Sequence, residues 1–124
     1  VAERQTRQKD AIERMIRSSQ APLLPEEIAE RARQEVPRLG MATVYRSLKR
    51  LQEEGLVCVV ELPGQSPRYE STSKGHHHHF LCEDCGKVLD LMGCAGDVQQ
   101  MAPPGYEVKR HEITLIGICP ECHS

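Results

Sequence analysis

Two pairs of cysteines, Cys82-Glu83-Asp84-Cys85 and Cys119-Pro120-Glu121-Cys122, are separated by 33 residues (86–118) and restrict this chain more than any other feature. Two residues between cysteines let both thiolates bend onto one ion, and two such knuckles complete the closed tetrahedron preferred by structural zinc. Gly86 follows the first pair, where the turn benefits from a residue tolerant of positive φ. Thioredoxin-like redox chemistry expects a single pair at the start of a helix in a βαβ context, and here there are two. Four sulfurs leave no coordination position for a substrate. The spacing therefore predicts a structural, non-catalytic zinc at Cys82, Cys85, Cys119 and Cys122.

Such a staple suits the rest of the composition. The 124 residues suffice for one ordinary domain or two very small ones, and with one Phe, three Tyr and no Trp the core must come from aliphatic side chains. Units of about 50–70 residues bury little surface and commonly need a metal, disulfides or a partner subunit. No apolar run approaches the roughly 20 residues that cross a bilayer, and no signal-peptide pattern is present. The chain reads as cytoplasmic, with no membrane partner, and in that compartment cysteine pairs more often hold metal than form disulfides.

Hydrophobic spacing divides the chain. Ile12, Met15 and Ile16 predict a helix over 7–17 with Thr6 as N-cap. A second helix starts at Pro25, favoured by Glu26 and Glu27 near the positive end of its dipole, and ends near Val36 because Pro37 restricts the residue before it. A third spans about 41–54 and stops at Gly55; Val44, Leu48 and Leu51 form its buried stripe, with Thr43, Arg46 and Arg50 on the other side. Residues 56–62 read as a strand, the Pro63-to-Pro67 cluster as a turn, and 68–70 as a return strand. Three helices followed by a hairpin is the order of a winged helix-turn-helix. The expected organisation is an α+β chain with a winged helix over 1–70, a hinge at 71–75 (STSKG) and a second domain over 76–124. That second domain carries strands near 80–82, 87–91 and 112–118 and a short helix near 97–101.

Charge agrees with a nucleic-acid reader. Residues 1–70 hold 12 Lys and Arg against 11 Asp and Glu, whereas 71–124 hold 4 against 7. Between Arg38 and Gln52 stand Arg38, Arg46, Lys49 and Arg50 with no acid. A local basic stripe in a near-neutral domain suits specific reading more than non-specific coating.

Four consecutive histidines, His76 to His79, precede the first knuckle. On an extended segment alternate side chains face opposite ways, so His77 and His79 share one face and His76 and His78 the other. Neutral imidazole is a common transition-metal ligand, but two per face need partners. Candidates are Cys58, Glu70, Asp90, Asp97 and His111. Cys58 falls with Leu56, Val60 and Leu62 on one face of its strand, which favours a buried core cysteine. Cys94 stands outside the pairing pattern and reads as a free thiol.

The ordered combination of Thr6-Arg7-Gln8-Lys9, Gly40-Met41-Ala42-Thr43-Val44-Tyr45-Arg46, the histidine run leading into Phe80-Leu81-Cys82, Cys85-Gly86-Lys87-Val88 and the final cysteine pair resembles the ferric uptake regulator superfamily over nearly the whole chain. The resemblance implies a homodimeric, metal-loaded repressor with an α/β dimerisation domain. It implies that the third helix enters the major groove of an AT-rich palindromic operator, with Tyr45 touching thymine methyls and Thr43, Arg46 and Arg50 contacting bases or phosphates. It implies a regulatory site of Glu70, His77 and His79 with Cys58 or Asp90, and a second site of His76, His78, Asp97 and His111. Iron- and peroxide-sensing members often draw a histidine from the start of the second helix, where this chain has Ala21-Pro22-Leu23-Leu24. Zinc-sensing members instead place a ligand just after the third helix, where Cys58 sits. A thiolate favours zinc over manganese or iron(II), which makes zinc-responsive control of uptake genes the expected function. A manganese-, iron- or peroxide-responsive regulator is the alternative. A metal-storage protein or metallochaperone, from a different class, leaves the basic third helix unexplained. No enzyme is expected: a zinc deaminase needs an H-x-E base motif and an open zinc position.

Overall fold

A computed structural model describes residues 2–94 and 96–123, which fall into two compact units, one through Gly75 and the other from His76. In the first, α1 spans Ala2–Ser18, α2 Pro25–Ala32 and α3 Met41–Glu53. Helix α1 starts earlier than expected and Thr6 lies inside it. Residues 2–5 contain neither Gly nor Pro, and Glu3 in the first turn suits the helix dipole, so nothing stops the helix at Thr6. Helix α2 begins at its proline, and the Leu24 N–H donates to Glu27 Oε1 at 2.8 Å. It ends four residues before Val36. The chain continues through turns ahead of Pro37, with the Val36 N–H still donating to the Ala32 carbonyl at 2.9 Å.

The end of α3 is a Schellman motif. Gly55, at φ +77°, donates to the Gln52 carbonyl, and the Leu56 N–H reaches the Leu51 carbonyl, each at 3.0 Å. Ile12, Ile16, Ile28, Val44, Leu48 and Leu51 are each at most 1 % exposed and hold the three helices together. Lys9 on α1 also pairs with Glu54 at 2.9 Å, next to the end of α3.

Strands β1, Val57–Val60, and β2, Arg68–Ser71, form an antiparallel hairpin, and Leu23 adds a bridge to Tyr69 through backbone bonds of 2.9 and 2.8 Å. Three helices and this hairpin make a winged helix. Cys58 departs from the core position expected for it: it is exposed, whereas Val57 is buried within the helical core. The strand does not keep a simple alternation, because Val57 turns into the helices while Val60 and Leu62 are buried further along. The Ser71–Gly75 stretch contains a 3-10 turn, Thr72–Lys74, and Thr72 bonds back to Gly55 and Leu56 through its hydroxyl and N–H.

The second unit is a three-stranded sheet of order β4-β3-β5. The central strand β3, His78–Cys82, pairs antiparallel with β4, Val88–Leu91, and parallel with β5, Thr114–Gly117. A 3-10 turn, Val98–Met101, stands where a short helix was expected, and a four-residue helix α4, Pro120–His123, covers the second cysteine pair. Its buried set is small: Leu81, Cys82, Val88, Cys119 and His78. Leu115, Ile116 and Ile118, on or just after the edge strand, stay exposed. Among the described residues no helix is long and apolar enough to cross a membrane.

Candidate metal centres and nucleic-acid face

Parallel pairing of β3 with β5 brings the two cysteine pairs together. Cys82 ends β3 opposite Gly117, and the Glu83 N–H donates to the Gly117 carbonyl at 2.9 Å. The first knuckle turns at Gly86, φ +78°, and the second at α4, where the Cys122 N–H meets the Cys119 carbonyl at 3.0 Å. The sulfurs of Cys82, Cys85, Cys119 and Cys122 lie within 4.8 Å of one another, and those of Cys85 and Cys119 are 3.8 Å apart. A tetrahedron with Zn–S bonds of about 2.3 Å has S···S edges of about 3.8 Å, so the spacing fits zinc. The N–H groups of Cys85 and Cys119 point at Cys82 Sγ from 3.5 and 3.3 Å. These donors hold the Cys82 thiol down at about 6, against the opposing effect of burial. Burial pushes the Cys119 thiol up, and a hydrogen bond with Cys119 does the same to Cys122. A dication stabilises all four as thiolates.

The histidine run divides between two clusters. His77 and His79 lie edge to face with ring centres 4.9 Å apart, and β4 supplies Asp90, the register partner of His79. Asp90 Oδ1 is 3.6 Å from His79 Nε2 and 4.0 Å from His77 Nε2. Ligands about 2.0–2.2 Å from a common ion stand roughly 3–3.6 Å apart, so a small contraction closes these three donors on one. Glu70 belongs to the first unit, where it is 5 % exposed, lies opposite Cys58 in the hairpin register and has Lys74 Nζ 3.9 Å from its carboxylate.

On the other face, His76 packs against His78 and His111 with ring centres 4.5 and 4.7 Å away. The fourth donor there is Cys94, whose sulfur is 3.4 Å from His78 Nε2 and 3.2 Å from His111 Nε2. Asp97 is not brought to this cluster; its carboxylate accepts the Gln99 N–H at 3.0 Å and caps the 3-10 turn. Burial, then the imidazoles of His76 and His111, push His78 below its ordinary range and favour the neutral ring that a metal requires. Sequence reasoning missed Cys94 because an odd cysteine in an irregular segment carries no spacing signal.

Helix α3 presents the expected polar face. Tyr45 is 49 % exposed, Arg46, Lys49 and Arg50 are exposed, and Thr43 is half-buried. Arg46 Nη2 donates to Thr43 Oγ1 at 3.0 Å, which orients the guanidinium along the helix. Thr43, Arg46 and Arg50 follow i, i+3, i+7 spacing and form one line, with Tyr45 beside it.

Comparison with known proteins supports the same reading. The profile of the ferric uptake regulator family matches residues 2–116. The ferric uptake regulation protein of Campylobacter jejuni is 29% identical over 124 residues, covering 96% of this chain and 79% of that protein. The peroxide operon regulator of Bacillus subtilis is 32% identical, with 94% and 82% covered. The solved structure of the Helicobacter pylori ferric uptake regulator, described as having three functional metal binding sites, superposes with a TM-score of 0.76 at 27% identity, covering 94% of this chain and 80% of that one. With a winged helix, a four-cysteine cluster and a family profile over nearly its full length, the chain belongs to the ferric uptake regulator family of metal-responsive transcriptional regulators and is not an enzyme.

Proposed function

We propose that the chain is a repressor that binds a palindromic, AT-rich operator as a metal-loaded homodimer in the cytoplasm and controls metal uptake genes. The observation that carries the sensory part is the convergence of His77, just before β3, and His79 on β3 with Asp90 on β4, directly after the segment that joins the two units. In this reading Glu70 adds a carboxylate from the wing. The bound ion supplies a positive centre that ties wing and dimerisation units into one orientation. Two α3 helices then reach half-sites about one turn of DNA apart. Thr43, Tyr45, Arg46 and Arg50 read bases and phosphates, and zinc at the four cysteines keeps the second unit folded. A coupling of about 1–3 kcal/mol, typical of allosteric systems, changes operator affinity about 5–150-fold.

Two imidazoles and carboxylates suit iron(II) and manganese as well as zinc. A zinc-responsive regulator is the second reading, in which Cys58 supplies a soft donor in place of Asp90; one observation favours it, that Cys58 is exposed and lies directly opposite Glu70 in the hairpin register. Operator binding by metal-depleted protein, titrated anaerobically with zinc, manganese and iron(II), distinguishes these. If Cys58→Ser abolishes the response to zinc, the thiolate reading stands; an unchanged response to all three ions returns the site to nitrogen and oxygen ligands. Metal-dependent affinity equal to the parent protein in both His77→Ala and His79→Ala would remove the sensory assignment.

A further inference from the structure

We propose that Arg4 and Arg7 of α1, with Arg38 from the turn ahead of α3, form a clamp for a DNA backbone phosphate, separate from the polar line of α3. The inference rests on the reading of the chain as a DNA-binding regulator and adds the place where the backbone is held. The three arginines line one pocket of about 410 Å³ between the start of α1 and the 35–38 turn. Arg4 and Arg7 share a face of α1 at i, i+3 spacing. The turn that carries Arg38 is fixed: Arg33 Nε donates to the Leu39 carbonyl at 2.8 Å, and the Leu39 N–H to the Val36 carbonyl at 3.0 Å. Other cations of this unit are already committed, Lys9 to Glu54, Arg17 to Glu13 and Arg68 to Glu27. Arg4, Arg7 and Arg38 are exposed, and among the described residues no carboxylate pairs with them. Glu35 also lines the pocket and would repel an anion, but Arg14 ion-pairs with it. Each free guanidinium presents a fork of N–H donors matched to two phosphate oxygens.

Position decides which anion fits. Arg38 stands two residues before Gly40, the N-cap of α3, where no side chain caps the helix and the first turn holds no acid. The positive end of the helix dipole therefore adds to the three arginines. A recognition helix that contacts base edges with its N-terminal residues brings this corner to the phosphates at the lip of the groove. The wing offers no substitute. Arg68, the sole Lys or Arg between Val57 and Ser71, is buried and donates to the Pro22 carbonyl at 3.2 Å.

Fluorescence anisotropy of the metal-loaded full chain on operator and scrambled duplexes, repeated over a series of salt concentrations, tests the clamp. Arg4→Ala/Arg38→Ala is expected to weaken binding roughly 10-fold on both duplexes, the size of a lost charge-assisted bond. The slope of log affinity against log salt should fall by about 1 per subunit. Arg4→Lys/Arg38→Lys should keep the parent slope, because the charge is retained. Both variants should melt like the parent protein, which separates a lost contact from a lost fold. A neutral methylphosphonate at one backbone position per half-site should reproduce the loss in the parent protein and add nothing in the alanine variant. Inorganic pyrophosphate at matched ionic strength should leave binding unchanged. An alanine variant with parent affinity and slope, a loss confined to the operator, or pyrophosphate competition that depends on Arg4 and Arg38 overturns the inference. A parent protein that binds neither duplex removes the DNA-binding reading itself, whereas a parent that binds and an alanine variant that binds equally well remove only the clamp.

Discussion

Cys82 has two roles in its knuckle: it is one of four sulfurs and also the acceptor of two backbone N–H groups, those of Cys85 and Cys119. Replacing it removes a ligand and leaves both donors facing a weaker acceptor. Structural zinc in small knuckles is worth about 10–16 kcal/mol of apparent binding energy, comparable to the entire stability of an ordinary domain. The second unit buries few apolar side chains, so it has no reserve against that loss. Cys82→Ser is expected to bind one zinc fewer per chain by mass spectrometry and to lose amide-exchange protection throughout the second unit, while α1–α3 stay protected. Retained protection in β3 and β5 would show that the sheet stands without the metal. At this scale the sequence is uneven. The four cysteines were legible because their spacing itself expresses the coordination geometry. Asp97 was chosen over Cys94 because position along the chain does not show which side chain an irregular segment turns inward and which it spends on capping its own turn.

Helix α3 carries the polar line that the proposed reader needs, and it is ended sharply by Gly55. No atom lies within 4 Å of a Cβ placed there, so a substitution meets no clash and costs only the left-handed backbone, about 1–2 kcal/mol. Gly55→Ala should lower the urea midpoint accordingly without changing metal content. Arg46→Ala should weaken operator binding by about 1–3 kcal/mol, or roughly 5–150-fold, with an unchanged melting temperature, since among the described residues the exposed side chain bonds Thr43 alone. Fluorescence anisotropy against operator and scrambled DNA separates lost base contacts from lost phosphate contacts. Helices were the most legible elements because Ile12 and Ile16, or Val44, Leu48 and Leu51, repeat at helical spacing and all enter the core. Their ends were less so. Thr6 resembles a cap but has no stop signal before it, and α2 unwinds well ahead of the proline that limits it. The short β1 misled for a different reason: Val57 enters the helical core, Cys58 and Val59 are both exposed and Val60 is buried again, so four residues do not hold a period of two.

As a whole molecule, the chain combines a winged helix with a self-sufficient core and a second unit that has almost none. Leu115, Ile116 and Ile118 leave apolar surface along an edge strand, a surface that a second copy would cover in the proposed dimer. Ile116→Glu is expected to shift the protein from dimer to monomer in sedimentation equilibrium while the four-cysteine zinc is retained; a variant that stays dimeric places the interface elsewhere. The parallel pairing of β3 with β5 also fixes an order of events on the ribosome. Residues through Gly75 hold all the partners of the helical core, so that unit can fold as it emerges. The sheet that follows must wait: its central strand is made early, but its parallel neighbour and half of its sulfurs arrive about 35 residues later. Until Cys119 and Cys122 arrive, the first knuckle holds only half of the sulfurs that a closed zinc site needs, so the order of the chain makes the last strand the step that completes the staple.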